Sequence, residues 1–333
     1  MNKRGIVAIG NLLVDNSMLI ESYPRERMLT EILGVELHCG GGCTNVLFDL
    51  AVLDQTLPLY LFGAVGRDAN GNKIIADTLM RGINVDGVIR LDGSTSFTNV
   101  MINKSSGDRT FFHARGVMDE FSIEHVCQLP INAKIVHFAY IPLMKKFLDQ
   151  DNEYPNKACK LFCELNRLGY KISVDLVSIA DKLLFFNSIE PTLSYVDYLI
   201  INDEEAKLLC GVGESNETNS YQELANLLLN KGVRDTVIIH YPAGSVAANR
   251  ERTVSQESYW VAQNEVISTL GAGDAFCAGA LYAIHEGYNL PIVLKYGNAL
   301  ARFNLFSMSA TDGAIDSSKL IEYIKSNNLV SKQ

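Results

Sequence analysis

The chain has one tryptophan and eight prolines among 333 residues, and no apolar run approaches the roughly 18 residues that a membrane-spanning helix needs. The opening MNKRGIVAIGNLL has basic residues and a short strand-like run, but neither the apolar core nor the small-residue cleavage site of a signal peptide. A cytoplasmic protein without a membrane partner is expected. Basic clusters are also missing. With 29 Lys and Arg against 38 Asp and Glu, the net charge is −9, which argues against a nucleic-acid backbone as partner. The seven cysteines are odd in number and scattered, so reduced thiols are expected rather than a disulfide framework. His38 with Cys39 and Cys43 is interrupted by three glycines, and Cys159 with Cys163 has no nearby histidine, which makes both poor zinc sites. Two phosphate signatures are absent. No G-x-x-x-x-G-K-[ST] occurs, which excludes a P-loop, and the first strand-like run, residues 5–10, leads into Asn11-Leu12-Leu13-Val14-Asp15 rather than a dinucleotide turn.

What is present is a globular balance, 47% apolar and 20% charged, and a length that α/β folds carry as one domain, here residues 1–333. Strand-like runs at 135–139, 172–174, 198–201 and 237–239 alternate with helix-like segments at 154–168, 203–210 and 221–229. That alternation predicts an α/β fold with a mostly parallel sheet, helices on both faces and ligands at the C-terminal strand ends. Asp175 ends one such run, and Asn202-Asp203-Glu204-Glu205 ends another. Residues 28–38 and 92–115 differ in texture: short apolar runs between Gly-Asp and Ser-Gly turns predict hairpins. After Gly40-Gly41-Gly42, the positions of Val46, Leu47, Leu50 and Leu53 share a helical face. Only the last residues, 326–333, read as a frayed tail.

The stretch Ser268-Thr269-Leu270-Gly271-Ala272-Gly273-Asp274-Ala275-Phe276 reads as an anion site with a base in it. Its glycines let the backbone turn tightly, and the apolar run at 275–284 predicts a helix whose first N–H groups face a ligand. Asp274 stands beside that point; the alternative is an aspartate that merely caps the helix.

Residues 268–281, STLGAGDAFCAGAL, resemble the C-terminal signature D-T-x-G-A-G-D-x-F of the ribokinase-like (PfkB) family of carbohydrate kinases. His38-Cys39-Gly40-Gly41-Gly42-Cys43-Thr44-Asn45 resembles its N-terminal G-G-x-x-x-N signature, in the same order. The likeness runs with gaps from about Ile6 to Ala314. It implies a ribokinase-like fold with a small β lid from about 12–38 and 92–115, which closes over the sugar and excludes water. It implies transfer of the γ-phosphoryl group of Mg-ATP to a hydroxyl of a fructose- or ribose-like carbohydrate. A nucleoside kinase of the same family and a non-catalytic sugar or nucleotide sensor remain alternatives.

By the same resemblance, Gly271, Ala272 and Gly273 form the anion hole and Asp274 is the general base. Asp15 accepts from sugar hydroxyls, although a turn aspartate would look the same, and Gly41, Gly42 and Asn45 hold the sugar. Asn202 and Glu205 match the family's N-x-x-E element, with Glu205 organising Mg2+ through water; an acidic first turn of a helix is the other reading. Asn298 matches the helix that flanks adenine, where an exposed helix asparagine would also fit. Arg109 and Arg115 lie in the lid segment, within reach of a substrate oxygen or simply on the surface. Three departures stand out. Arg67 replaces an acid in the family's G-D-D turn. Residues 239–244, Ile-His-Tyr-Pro-Ala-Gly, replace a glycine-rich turn beside the nucleotide. Ser268 replaces the aspartate that helps hold a monovalent cation, so that cation is doubtful here. A homodimer through the lid is possible.

Overall fold

Buried apolar runs that end at glycine or at a polar residue build the main sheet of the computed structural model, which describes residues 3–212 and 220–327. The first, β1 (Gly5–Gly10), is buried along its whole length. Its side chains alternate between two cores, Ile6 and Ala8 in one, Val7 and Ile9 in the other, as the two-residue period of a strand requires. The chain leaves β1 into β2 (Leu13–Ile20), which pairs antiparallel with β3 (Ile32–Gly40) and sets Asp15 opposite His38. Polar residues fill the middle of β2, which hides it from a reading based on apolar runs. Gly41, at φ 92°, then turns the chain into α1 (Gly42–Leu53); any Cβ at this position would strike the carbonyl of Asn11.

A right-handed crossover is the default for strand, helix and parallel strand, and the next segment has that composition: β4 (Leu59–Val65), α2 (Ala69–Met80) and β5 (Asn84–Arg90), with β4 and β5 parallel. Asp68 caps α2 by accepting from the Gly71 N–H. A hairpin follows, β6 (Ser96–Asn103) and β7 (Arg109–Ala114). Strand and helix then alternate through β8 (Ala133–Ala139), α3 (Lys157–Arg167), β9 (Lys171–Asp175), α4 (Lys182–Ile189), β10 (Tyr198–Asn202), α5 (Asp203–Cys210), α6 (Tyr221–Asn230) and β11 (Thr236–Tyr241). Two antiparallel strands, β12 (Gly244–Ala248) and β13 (Thr253–Glu257), finish the edge before α7 (Ala272–His285), α8 (Leu290–Asn304) and α9 (Ser317–Asn327).

The main sheet runs β13-β12-β11-β10-β9-β8-β1-β4-β5, parallel from β5 to β11. One face is covered by α1, α7, α8 and α9 through Val46, Leu50, Leu281, Leu300 and Leu320. The other is covered by α3 to α6 through Phe162, Phe185, Leu209 and Leu228. A second sheet, β3-β2-β6-β7, draws its strands from the two segments expected to form a lid.

Several boundaries differ from the sequence reading. Helix α3 starts at Lys157 rather than 154, because Asn156 accepts from the Cys159 N–H and caps it. Residues 326 and 327 belong to α9 instead of a frayed tail, with the Ser326 hydroxyl donating to the Glu322 carbonyl at 2.8 Å; residues 328–333 lie outside the described ones. Among the described residues no helix is long and apolar enough to cross a membrane.

Candidate active site

The strand ends of the parallel sheet and the start of α7 converge on one place. Gly271, at φ 76°, is the N-cap of α7, and a Cβ there would strike the backbone of Ala310. Asp274 therefore lies within the first turn of the helix, past its N-cap, which removes the capping alternative. Its carboxylate instead accepts from Asn45 Nδ2 at 2.7 Å and Tyr140 Oη at 2.9 Å. Burial pushes its pKa up to about 6 even though both donors favour the charged form. The Ala272 N–H makes a long 3.3 Å bond to the Thr269 carbonyl, while Gly273 is left at the cleft wall.

Tyr140 follows the last residue of β8 in a left-handed conformation, φ 63°. A Cβ on Gly42 would come within 2.7 Å of its ring, so that glycine is required by the tyrosine. At the ends of β9 and β10 stand Asp175 and Asn202. Asn202 and Glu205 form a reciprocal cap on α5: Asn202 Oδ1 accepts from the Glu205 N–H at 2.8 Å and Glu205 Oε2 from the Asn202 N–H at 3.1 Å. Burial raises the Glu205 carboxyl to about 7 and holds Asp175 well above the usual range, with the neighbouring acids adding to both.

These groups share a small cleft of about 190 Å³ lined by Tyr140, Asp175, Asn202, Glu205, Gly273 and Asp274 among others. Among the described residues no Lys or Arg is in its wall. Beside it opens a cleft of about 840 Å³ whose wall includes the aromatic side chains of Tyr241, Tyr259, Trp260 and Phe276, together with Asn298 and Arg302. Asn202, His240 and Gly273 belong to both clefts. The size of the larger one falls in the range of cofactor sites. The carboxyl groups of Asp175, Glu205 and Asp274 in the small cleft are the hard oxygen donors that suit Mg2+.

The sequence-predicted residues divide into groups. Gly271, Gly273, Asp274, Asn202 and Glu205 line the small cleft, and Ala272 and Asn298 line the large one. The Asn298 amide donates to the carbonyls of Gln256 and Glu257 at 3.4 and 3.3 Å, so it also ties α8 to β13. Asn45 joins through its bond to Asp274. Asp15, Gly41 and Gly42 line neither cleft. Burial nevertheless raises Asp15 to about 6, against a lowering hydrogen bond from Thr98, and the charge of Asp274 reaches it.

Sequence reasoning passed over Tyr140 and His240. Tyr140 was signalled by its place directly after a strand end. His240 lies in the segment 239–244 that departs from the family's turn: its ring packs on Phe276 at 4.8 Å, and burial lowers its pKa to about 4, keeping it neutral. Arg109 is not a free surface side chain, because its Nη2 crosses from the second sheet to donate to Ser268 Oγ at 2.8 Å. Arg115 pairs with Asp119 at 3.7 Å and Arg67 with Asp92 at 3.2 Å. In the structure Cys39 donates to Asp77, His38 pairs with Glu36, and Cys159 faces the Pro191 carbonyl.

Known proteins resemble this chain over most of its length. The chain is 23% identical over 309 residues to the ATP-dependent 6-phosphofructokinase of Thermoanaerobacterium thermosaccharolyticum, covering 91% of this chain and 88% of that one. It is 30% identical over 295 residues to the ribokinase of Staphylococcus aureus, covering 88% of this chain and 90% of that one. Its fold matches that of Arabidopsis thaliana ribokinase complexed with ribose and ATP, with a TM-score of 0.78 at 22% identity and coverage of 98% and 99%. The model of the pfkB family of carbohydrate kinases matches residues 3–317, and with the two motifs meeting at Asp274 the chain belongs to that family.

Proposed function

We propose that this kinase moves the γ-phosphoryl group of Mg-ATP onto a hydroxyl, a primary one, of a small fructose- or ribose-like carbohydrate. The observation that carries the reading is a buried carboxylate, Asp274, in the wall of a small acidic cleft and directly after Gly273, which that cleft shares with a nucleotide-sized one. Bound Mg-ATP would supply the phosphoryl group, with the metal offsetting charge on its oxygens. Glu205 would hold the metal through water, Asn202 beside it would contact the cofactor, and the aromatic side chains of the large cleft with Asn298 would take the nucleotide base. Asp274 removes the acceptor's proton, held in aim by Asn45 and Tyr140. Backbone N–H groups of Ala272 and Gly273 meet the growing negative charge, the former after giving up its long bond to Thr269. Asp15 orients the sugar, and the second sheet covers it as a lid.

An ATP-consumption screen over free hexoses, pentoses, phosphorylated sugars and nucleosides tests this. Turnover with a free sugar is the expected result. Turnover confined to nucleosides would replace the sugar reading, and no turnover with any acceptor would favour a sensor.

Removing the Tyr140 hydroxyl offers a sharper check on the base. Tyr140→Phe takes away a donor to a charged carboxylate, worth about 1.5 kcal/mol or more, which is about one pH unit. The acid limb of the pH–rate profile should move upward by about that much; an unmoved limb would separate Tyr140 from the base.

Potassium activation is expected to be weak or absent. Ser268 lacks the formal charge that a cation site would use, and its hydroxyl is already occupied by the Arg109 guanidinium. Initial rates in potassium chloride against a bulky-cation chloride at matched ionic strength decide the point, and a large potassium-specific increase would overturn it. The exposed apolar side chains of β3, Ile32, Val35 and Leu37, support a homodimer through the second sheet. Sedimentation at twice the chain mass is expected; a monomer at working concentration would remove that reading.

A further inference from the structure

Beneath the small cleft, three ligating side chains meet in a layer that is otherwise apolar. The β8–β9 register places His137 opposite Ser173 and Ala139 opposite Asp175. The two-residue period then puts His137, Ser173 and Asp175 on one face, the face covered by α7. From α7, Cys277 comes down onto them one turn after Asp274. His137 and Cys277 are wholly buried and Asp175 nearly so. The ligand atoms of His137, Asp175 and Cys277 all lie within 4.8 Å of one another, with His137 Nε2 at 4.0 Å from Cys277 Sγ.

Two details go beyond proximity. His137 Nδ1 lies 3.1 Å from Ser173 Oγ. In the tautomer that donates from Nδ1, this bond fixes the ring and leaves the Nε2 lone pair facing the thiol, the arrangement that outer-shell partners give to metal-binding histidines. The second detail concerns Asp175. One of its oxygens accepts from the Leu176 N–H at 2.7 Å, and the residue lines the small cleft. The trio therefore has a ligand at the cleft wall and a side from which an ion and its water can enter. A nitrogen, a sulfur and an oxygen donor are a borderline-soft set, suited to Zn2+ in a tetrahedral site with one open position and unsuited to Mg2+.

We infer that His137, Asp175 and Cys277 form a binding site for one Zn2+, and that its occupancy inhibits the kinase. As the zinc–sulfur bond forms, the Cys277 thiol gives its proton to solvent; no oxidant or reductant is involved. Inhibition follows from sharing. A zinc ion that takes the Asp175 carboxylate places a fixed dication at the floor of the cleft in which Asp274 works. The binding claim stands apart from the proposed reaction, and only the inhibition rests on it.

The test uses the full chain after removal of metal with a chelator. Titration with Co2+ should give a thiolate-to-cobalt charge-transfer band in the near ultraviolet that saturates at one equivalent and is displaced by Zn2+. Cys277→Ser should abolish the band and weaken zinc binding by about 10-fold or more. Its basal turnover should stay close to the parent's. His137→Asn, made in parallel, should weaken binding likewise and keeps the test decisive if the serine variant does not fold. With Mg-ATP in excess, micromolar zinc should inhibit the parent, reversibly on chelation, and spare Cys277→Ser. Absence of a saturating band in the parent, or an undiminished band in Cys277→Ser, would overturn the site. Equal inhibition of parent and Cys277→Ser, with the band lost, would overturn the inhibitory role alone.

Discussion

Asp274→Asn is expected to lower kcat by about 10² or more, the scale for loss of a positioned proton acceptor, while nucleotide and sugar still bind. The carboxylate is held by two side-chain donors, Asn45 and Tyr140, and an amide in its place keeps the shape without the basicity. The same substitution should alter stability in a pH-dependent way. Burial raises the Asp274 pKa from 3.8 to about 6 in the folded chain. Between those values the native state binds the proton more tightly than the unfolded chain does. The contribution of Asp274 to stability is thus fully present below the unfolded pKa and lost as pH rises through about 6. Asparagine does not titrate. The stability of the variant relative to the parent should therefore increase between pH 4 and pH 7, read as the difference in thermal or urea midpoints. A kcat within a few-fold of the parent would sink the assignment of the base. A stability difference that does not change over that interval would show that the carboxylate is not strained by burial.

That opposition between function and stability explains which parts of this molecule could be read from its sequence. The parallel sheet was legible because its strands are continuous apolar runs, and burial on both faces demands that composition. The site was legible where backbone conformation restricts residue type, as at Gly271 and Gly41, whose positive φ and close neighbours tolerate no side chain. What stayed hidden were contacts between segments far apart in the chain. Tyr140 reaches Asp274 across 134 positions and Arg109 reaches Ser268 across 159, and no local pattern encodes such pairs. Strand β2 was missed for a related reason. Polar residues at its centre, Asp15, Asn16 and Ser17, interrupt the alternation that would mark a strand. His240 illustrates the reverse case. The sequence marked residues 239–244 as a poor match to the family's turn because Tyr241 or Pro242 stands where glycine is usual, and the structure places the neighbouring His240 against Phe276 in the wall shared by both clefts.

Asp15→Ala should raise the KM for the sugar by about 10²-fold, with the KM for ATP nearly unchanged. The magnitude follows from losing two hydrogen bonds from hydroxyls to a charged acceptor, about 1.5 kcal/mol each. The direction follows from place. Asp15 lies on β2 in the second sheet, away from both clefts that run toward α7 and α8, yet near enough to Asp274 for their charges to interact. A sugar that presents one hydroxyl to Asp274 can present others to Asp15. Gly40 is the counterpart of this arrangement, since a Cβ there would meet the Asp15 carboxylate. Protonation gives a second, independent reading. Burial raises Asp15 to about 6, so below that pH the carboxyl becomes a donor and loses one acceptor. The sugar KM of the parent should rise as pH falls through about 6, and Asp15→Asn should remove that rise while keeping an elevated KM throughout. Because Asp274 titrates in the same interval, the two are separated by parameter: protonation of Asp274 lowers kcat, protonation of Asp15 raises the sugar KM. An Asp15→Ala enzyme with an unchanged sugar KM would place the acceptor elsewhere, and an ATP KM that rose in parallel would mean that Asp15 supports the fold of the site rather than the sugar.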